Sequence, residues 1–174
     1  MAMNFNRQMK YYYLRFIRLR GKPNELALGM ALGVFAGMMP ILPFQTAFAV
    51  SLALLFKGSK ITAALGTWIS NPLNWYFQYY YSYKLGALLL GLPKDNKVFS
   101  SIMTAVRSGE ESMVIAGKVI GAGGTMIAAF LLGGMLMGIV AAPLAYYIFL
   151  RLFTYISLWR DARKERRKWS MADH

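Results

Sequence analysis

Two long stretches of this chain carry no charge and are cut by proline near their middles. Residues 26–56 are interrupted by Pro40-Ile41-Leu42-Pro43, and residues 61–83 by Asn71-Pro72. Proline removes a backbone donor and clashes with the preceding turn, so a helix stops or kinks there. In hydrocarbon, each backbone group left without a hydrogen bond costs several kcal/mol, and it persists only where protein or water satisfies it. Paired interruptions of apolar segments therefore point to a binding site at membrane depth.

The membrane setting follows from charge placement. The chain is 57% apolar and 16% charged, against roughly 45–50% and about 25% in ordinary soluble domains. No charge lies between Glu25 and Lys57, between Lys60 and Lys84, or between Lys118 and Arg151. Each window exceeds the ~20 residues a helix needs to cross a bilayer. A soluble helical domain of this size has too little interior to hide so much apolar surface. The expected fold is all-α: a polytopic membrane protein with two proline-broken helices or re-entrant hairpins, plus amphipathic interfacial helices.

The net charge of +13 sits mainly at the ends. Arg7, Lys10, Arg15, Arg18, Arg20 and Lys22 precede the first apolar run without an acid, and residues 151–174 hold seven basic and three acidic side chains. The positive-inside rule places both termini in the cytoplasm, which makes the number of full crossings even. Residues 4–20 read as an interfacial helix, with Met9, Tyr12, Tyr13, Phe16 and Ile17 on one face and cations on the rest. Such a helix suits an anionic leaflet. A nucleic-acid arm is the poorer reading, because the segment runs straight into an apolar one. Arg163, Lys164, Arg166 and Arg167 belong to a basic tail that would touch lipid headgroups. No cleaved secretory signal is expected.

Three units result: a basic arm (1–24), a membrane domain (25–153) and a basic cytoplasmic tail (154–174). Within the membrane domain the broken segments are 26–56 and 61–91, followed by a surface segment (92–118) and a last apolar segment (119–153). Asn24 is placed to cap the first helix. Gly29, Gly33 and Gly37 recur every four residues and offer a close-packing face, which would also serve self-association into a homo-oligomer. Lys57-Gly58-Ser59-Lys60 returns the chain to the cytoplasmic side, as a re-entrant hairpin or as the second of two short tilted crossings. In the surface segment Val98, Phe99, Ile102, Met103 and Val106 form a helical stripe, and Ser108-Gly109-Glu110-Glu111 matches a capping box that would open another helix. Gly121-Ala122-Gly123-Gly124, Gly133-Gly134 and Pro143 offer bends in the last segment, which is either one long kinked span or a helical hairpin.

Chemistry is sparse. Cysteine is absent, the one histidine is His174 at the end, and no acid lies in the uncharged windows. That argues against an enzyme, a metal site or a cofactor, and it weakens a proton-coupled pump. What remains is a site built from helix ends. If Pro43 and Pro72 each begin a half-helix, two N-termini with free N–H groups meet at membrane depth and favour an anion. Gln45, Thr46, Thr67, Ser70, Asn71, Asn74 and Gln78 cluster around the breaks, and Trp68 and Trp75 would wall the cavity. The competing reading is that these groups only satisfy the broken backbone.

The same residues carry a resemblance. Gly21-Lys22-Pro23, the run from Leu26 through Phe35, and Pro40 through Pro43-Phe44-Gln45-Thr46 resemble the first half of the domain of unknown function 2062. Leu65-Gly66-Thr67-Trp68-Ile69-Ser70-Asn71-Pro72-Leu73, followed by Tyr83-Lys84-Leu85-Gly86, is similar to its second half. The resemblance covers roughly residues 20–150 and implies a small prokaryotic inner-membrane protein. Some members accompany glycosyltransferases, which implies lipid-linked sugar or envelope work. The family has no assigned activity and supplies no functional residues. The functional expectation is a transporter or flippase-like role for a small anionic or lipid-linked phosphate ligand. The alternative is a scaffold that assembles through the glycine stripe and grips anionic lipid through its basic arms.

Overall fold

The structure, a computed structural model, describes residues 21–41, 43–70, 72–92 and 97–172. The arm cations Arg7, Lys10, Arg15 and Arg18, the expected interfacial helix, and Asn71 lie outside the described residues, as do the side chains of Pro72, Lys164, Arg166 and Arg167. Among the described residues every regular element is helical: α1 (Pro23–Met38), α2 (Gln45–Leu55), α3 (Lys60–Gly66), a 3-10 turn (Thr67–Ile69), α4 (Pro72–Leu90), α5 (Lys97–Arg107), α6 (Ser112–Gly121) and α7 (Gly124–Ala172).

Helix α1 begins at its own proline. Pro23 stands at the first helical position, where its missing N–H costs nothing, and Lys22 holds the extended N-cap conformation. Asn24 thus lies inside the first turn and is not the cap. The helix ends at Met38 because Met39 precedes Pro40 and is forced to extended geometry (φ −82°, ψ 131°). The chain then reverses. Phe44 N–H donates to the Ile41 carbonyl at 2.8 Å, and α2 opens at Gln45, two residues later than a start at Pro43 would place it. Helix α2 runs back along α1: Ala36 packs with Ala49 and Ala53, and at the far tip Ser59 N–H donates to the Glu25 carbonyl at 2.9 Å. The first interrupted segment is a hairpin whose two ends lie together.

The second is a broken helix. Helix α3 runs parallel to α1 along the glycine stripe. A Cβ at Gly29 would collide with the Ser59 carbonyl and the Thr62 hydroxyl, one at Gly33 with the Ala63 carbonyl and Gly66, and one at Gly37 would crowd Thr67 and Ile69. The stripe is covered by α3 of the same chain. After the interruption α4 continues in the same sense, antiparallel to α7, with Gly86 against Ala129 and Gly133 against Ser82. Helix α7 also runs antiparallel to α1: Gly134 meets Met38 and Pro40, Gly138 meets Phe35, and Phe153 is buried with Leu26, Ala27 and Met30.

Glycines with positive φ close α4 (Gly91, +65°) and α5 (Gly109, +71°). In both, the next N–H reaches five residues back, Leu92 to Ala87 and Glu110 to Ala105, which satisfies helix-end carbonyls. The expected capping box does not form. The Ser108 hydroxyl donates back to the Thr104 carbonyl, Glu110 pairs with Lys118 at 2.7 Å, and α6 opens after Glu111 without a side-chain cap. Of the expected stripe on α5, Ile102, Met103 and Val106 are buried, Phe99 stacks on Tyr83 with ring centroids 4.0 Å apart, and Val98 is exposed.

The last apolar segment breaks once, at Ala122-Gly123, and then forms one 49-residue helix that continues through Gly133, Gly134 and Pro143. Those two glycines are contact points for α4 and α1 rather than bends. Among the described residues one helix is long and apolar enough to cross a membrane, over Gly124–Arg163. Large apolar side chains are exposed on α2 (Leu54, Leu55), α4 (Phe77, Leu88, Leu89) and α7 (Ile139, Val140, Leu144, Ile148).

Candidate functional site

The two interruptions meet. Where α1 ends, the start of α2, the 3-10 turn and the first turns of α4 converge, and most of the polar side chains expected at the site serve the backbone there. The Gln45 amide donates to the Met39 carbonyl at 2.9 Å. The Gln78 amide donates to the Gly37 carbonyl. Both glutamines are buried. The Gly37 carbonyl is in the last turn of α1, where helix carbonyls have no partner within the helix. The Met39 carbonyl lies just past it and also accepts from the Ile41 N–H at 2.8 Å. The Thr67 hydroxyl donates to the Ala64 carbonyl at 2.7 Å, so in its 3.3 Å contact with Thr46 it accepts. That contact ties the start of α2 to the second interruption. Asn74 is exposed and donates to the Ile69 carbonyl at 3.2 Å.

Among the described residues, two donors at this junction have no partner. The Ser70 hydroxyl and the Trp75 indole nitrogen are buried and make no hydrogen bond. Both flank the start of α4, whose N-terminus carries partial positive charge. Trp68 is 65% exposed and does not wall a cavity with Trp75. Trp75 packs instead toward a buried cluster around Tyr79, Tyr83 and Phe130. The dense aromatics of α4 divide accordingly: Tyr79 and Tyr83 are core, whereas Tyr76, Phe77 and Tyr81 are exposed. The Lys84 ammonium lies 4.9 Å from the centre of the Tyr80 ring.

A cleft of about 390 Å³ lies on the other side of the hairpin tip. Pro40, Ile41, Pro43 and Phe44 form one wall, and Ile127, Phe130 and Leu131 of α7 form another. Helix α6 closes the third side with Met113, Ala116, Gly117 and Ile120. Of the residues expected at the site only Pro43 lines this cleft. The α6 residues drew no notice in the sequence because an apolar run in a surface segment has the same pattern whether it covers a cavity or packs on a core. Among the described residues no group of histidines and acids could hold a metal ion.

Residues 6–165 match a family described as an uncharacterized protein conserved in bacteria, DUF2062. No curated protein and no solved structure matches the chain.

Proposed function

The chain belongs to the uncharacterised bacterial family DUF2062, and we propose that it is a polytopic inner-membrane protein, not an enzyme, with a transporter or flippase-like role for an anionic or lipid-linked phosphate ligand. In this reading the α1–α2 hairpin enters and leaves the bilayer on one side, α3 and α4 together cross it, α5 and α6 lie on the far surface, and α7 returns. Two crossings leave both ends of the chain on one side, and the cationic flanks make that side the cytoplasm. The exposed apolar faces of α2, α4 and α7 support the placement, because soluble proteins rarely leave such contiguous surface uncovered. The Arg163 guanidinium lies 4.9 Å from the centre of the Trp159 ring, a pairing suited to the interface.

The observation that carries the ligand reading is the pair of unpartnered donors, Ser70 and Trp75, at the start of a 19-residue helix. A buried donor left unsatisfied costs about 1–3 kcal/mol, and an acceptor such as a phosphate oxygen restores that loss. Among the described residues, Gln45, Thr67, Asn74 and Gln78 hold backbone carbonyls and Thr46 is engaged by Thr67, so the proposed ligand contacts narrow to these two donors and the first N–H groups of α4. A scaffold that assembles through Gly29, Gly33 and Gly37 loses support, because α3 occupies that face.

The test is leaflet exchange of a headgroup-labelled anionic phospholipid in vesicles containing the purified protein. Exchange should run well above that of protein-free vesicles, and Ser70→Ala should slow it while the far-ultraviolet dichroism stays unchanged. Equal rates with and without protein would remove the transport reading.

A further inference from the structure

The cleft beneath the hairpin tip is unlike the polar junction above it. Its walls are apolar side chains from three elements, with no charged residue among them. A polar or ionic solute placed there would lose its water without gaining hydrogen bonds, a cost of several kcal/mol. Its volume of about 390 Å³ lies in the range of small-molecule sites, roughly 300–1,000 Å³.

Position identifies the occupant. The tip of the hairpin meets α7 at Gly134, whereas α7 begins at Gly124. Ten residues of helix, about 15 Å, therefore extend beyond the tip, and the hairpin does not fill the leaflet beside them. The mouth of the cleft is rimmed by Phe44, Met113 and Ile120, which are 69%, 64% and 69% exposed. In a bilayer such a rim faces lipid chains, so the cleft continues the lipid-facing surface inward. The covering helix α6 is joined through Gly109 and Gly123, both at positive φ, and a side chain at either glycine would meet nothing within 4 Å.

We infer that the cleft takes one hydrocarbon chain of a membrane lipid from the leaflet beyond the hairpin tip. The inference rests on the membrane placement proposed above and narrows the ligand class from any anion to an amphiphile. A chain that leaves the bilayer laterally for this cleft brings its headgroup toward the protein, where a free anion would arrive from water.

The experiment uses the full chain in vesicles of anionic phospholipid doped with a phospholipid carrying a diazirine at the end of one chain. After irradiation, adducts should map to residues 40–44, to α6 and to residues 127–131, besides the exposed face of α7. Gly117→Phe fills the cleft from an open position and should lower the cleft adducts about tenfold while those on the outer face of α7 persist. Adducts confined to the outer faces in the unaltered protein would overturn the inference without any variant. So would a cross-linked dimer through α6, which assigns the cleft to a second copy. Rapid reaction of Gly117→Cys with a water-soluble maleimide, at the rate of Ser108→Cys, would also overturn it by showing a wet cleft. Cleft adducts without leaflet exchange would leave the chain site standing and remove transport; exchange without cleft adducts would do the reverse. A protein that does not float with the vesicles would overturn both.

Discussion

Gln45 and Gln78 reach the end of α1 from two different elements: Gln78 donates to the Gly37 carbonyl of the last turn, and Gln45 to the Met39 carbonyl just past it, which the Ile41 N–H also reaches. Replacing Gln78 by leucine leaves the Gly37 carbonyl buried and unpaired, and should destabilise the fold by about 1–3 kcal/mol, read as a lower unfolding midpoint in detergent. A ligand-contact role would instead leave the midpoint unchanged. The glycines divide just as sharply. At Gly33 a methyl group meets backbone of α3, so Gly33→Ala should cost about 1–3 kcal/mol through overpacking. At Gly117 it meets open space, and Gly117→Ala should raise stability by roughly 0.5–1 kcal/mol. The same thermal measurement checks both. The periodicity of Gly29, Gly33 and Gly37 was legible as a packing face, but no single sequence says which helix fills it. A second copy and α3 present the same small residues.

At the scale of elements, the uncharged windows and their prolines located both interruptions, and the cations at either end of residues 26–56 marked the hairpin as one of two readings. Helix starts were less legible. Asn24 and Ser108 are good caps by type, yet Pro23 begins α1 one residue earlier and Gly109 turns the chain before Ser108 can act. In each case the backbone restriction of a neighbour outranks a side-chain hydrogen bond worth about 1 kcal/mol. Pro143 misleads in the opposite direction, since α7 runs through it. It lacks the N–H that the Ile139 carbonyl would otherwise accept, and its ring crowds that turn. Pro143→Ala should therefore stabilise α7 by something of order 1–3 kcal/mol, seen as a higher unfolding midpoint with unchanged helix content.

For the whole molecule, the proposed layout of two crossings and one hairpin makes a prediction that needs no ligand. The chain contains no cysteine, so each introduced thiol stands alone. Lys60→Cys and Ala162→Cys, both at exposed positions, should react with an impermeant reagent from the cytoplasmic face, and Ser108→Cys only from the opposite face. Labelling of all three from one side would remove the crossing by α3 and α4. The charges of the two flanks carry the expectation of an even number of crossings, which this labelling tests; the division of the apolar windows into hairpin, broken helix and rod was not legible, because it depends on which small residues find each other in space. The rod has a mechanical consequence. A continuous helix of 49 residues is about 73 Å long, more than twice the ~30 Å hydrocarbon layer. Leaning by ~20°, ordinary for a membrane helix, it would carry its outer end sideways by roughly 25 Å, so a small pivot near α4 becomes a large swing of the basic tail, as in a lever.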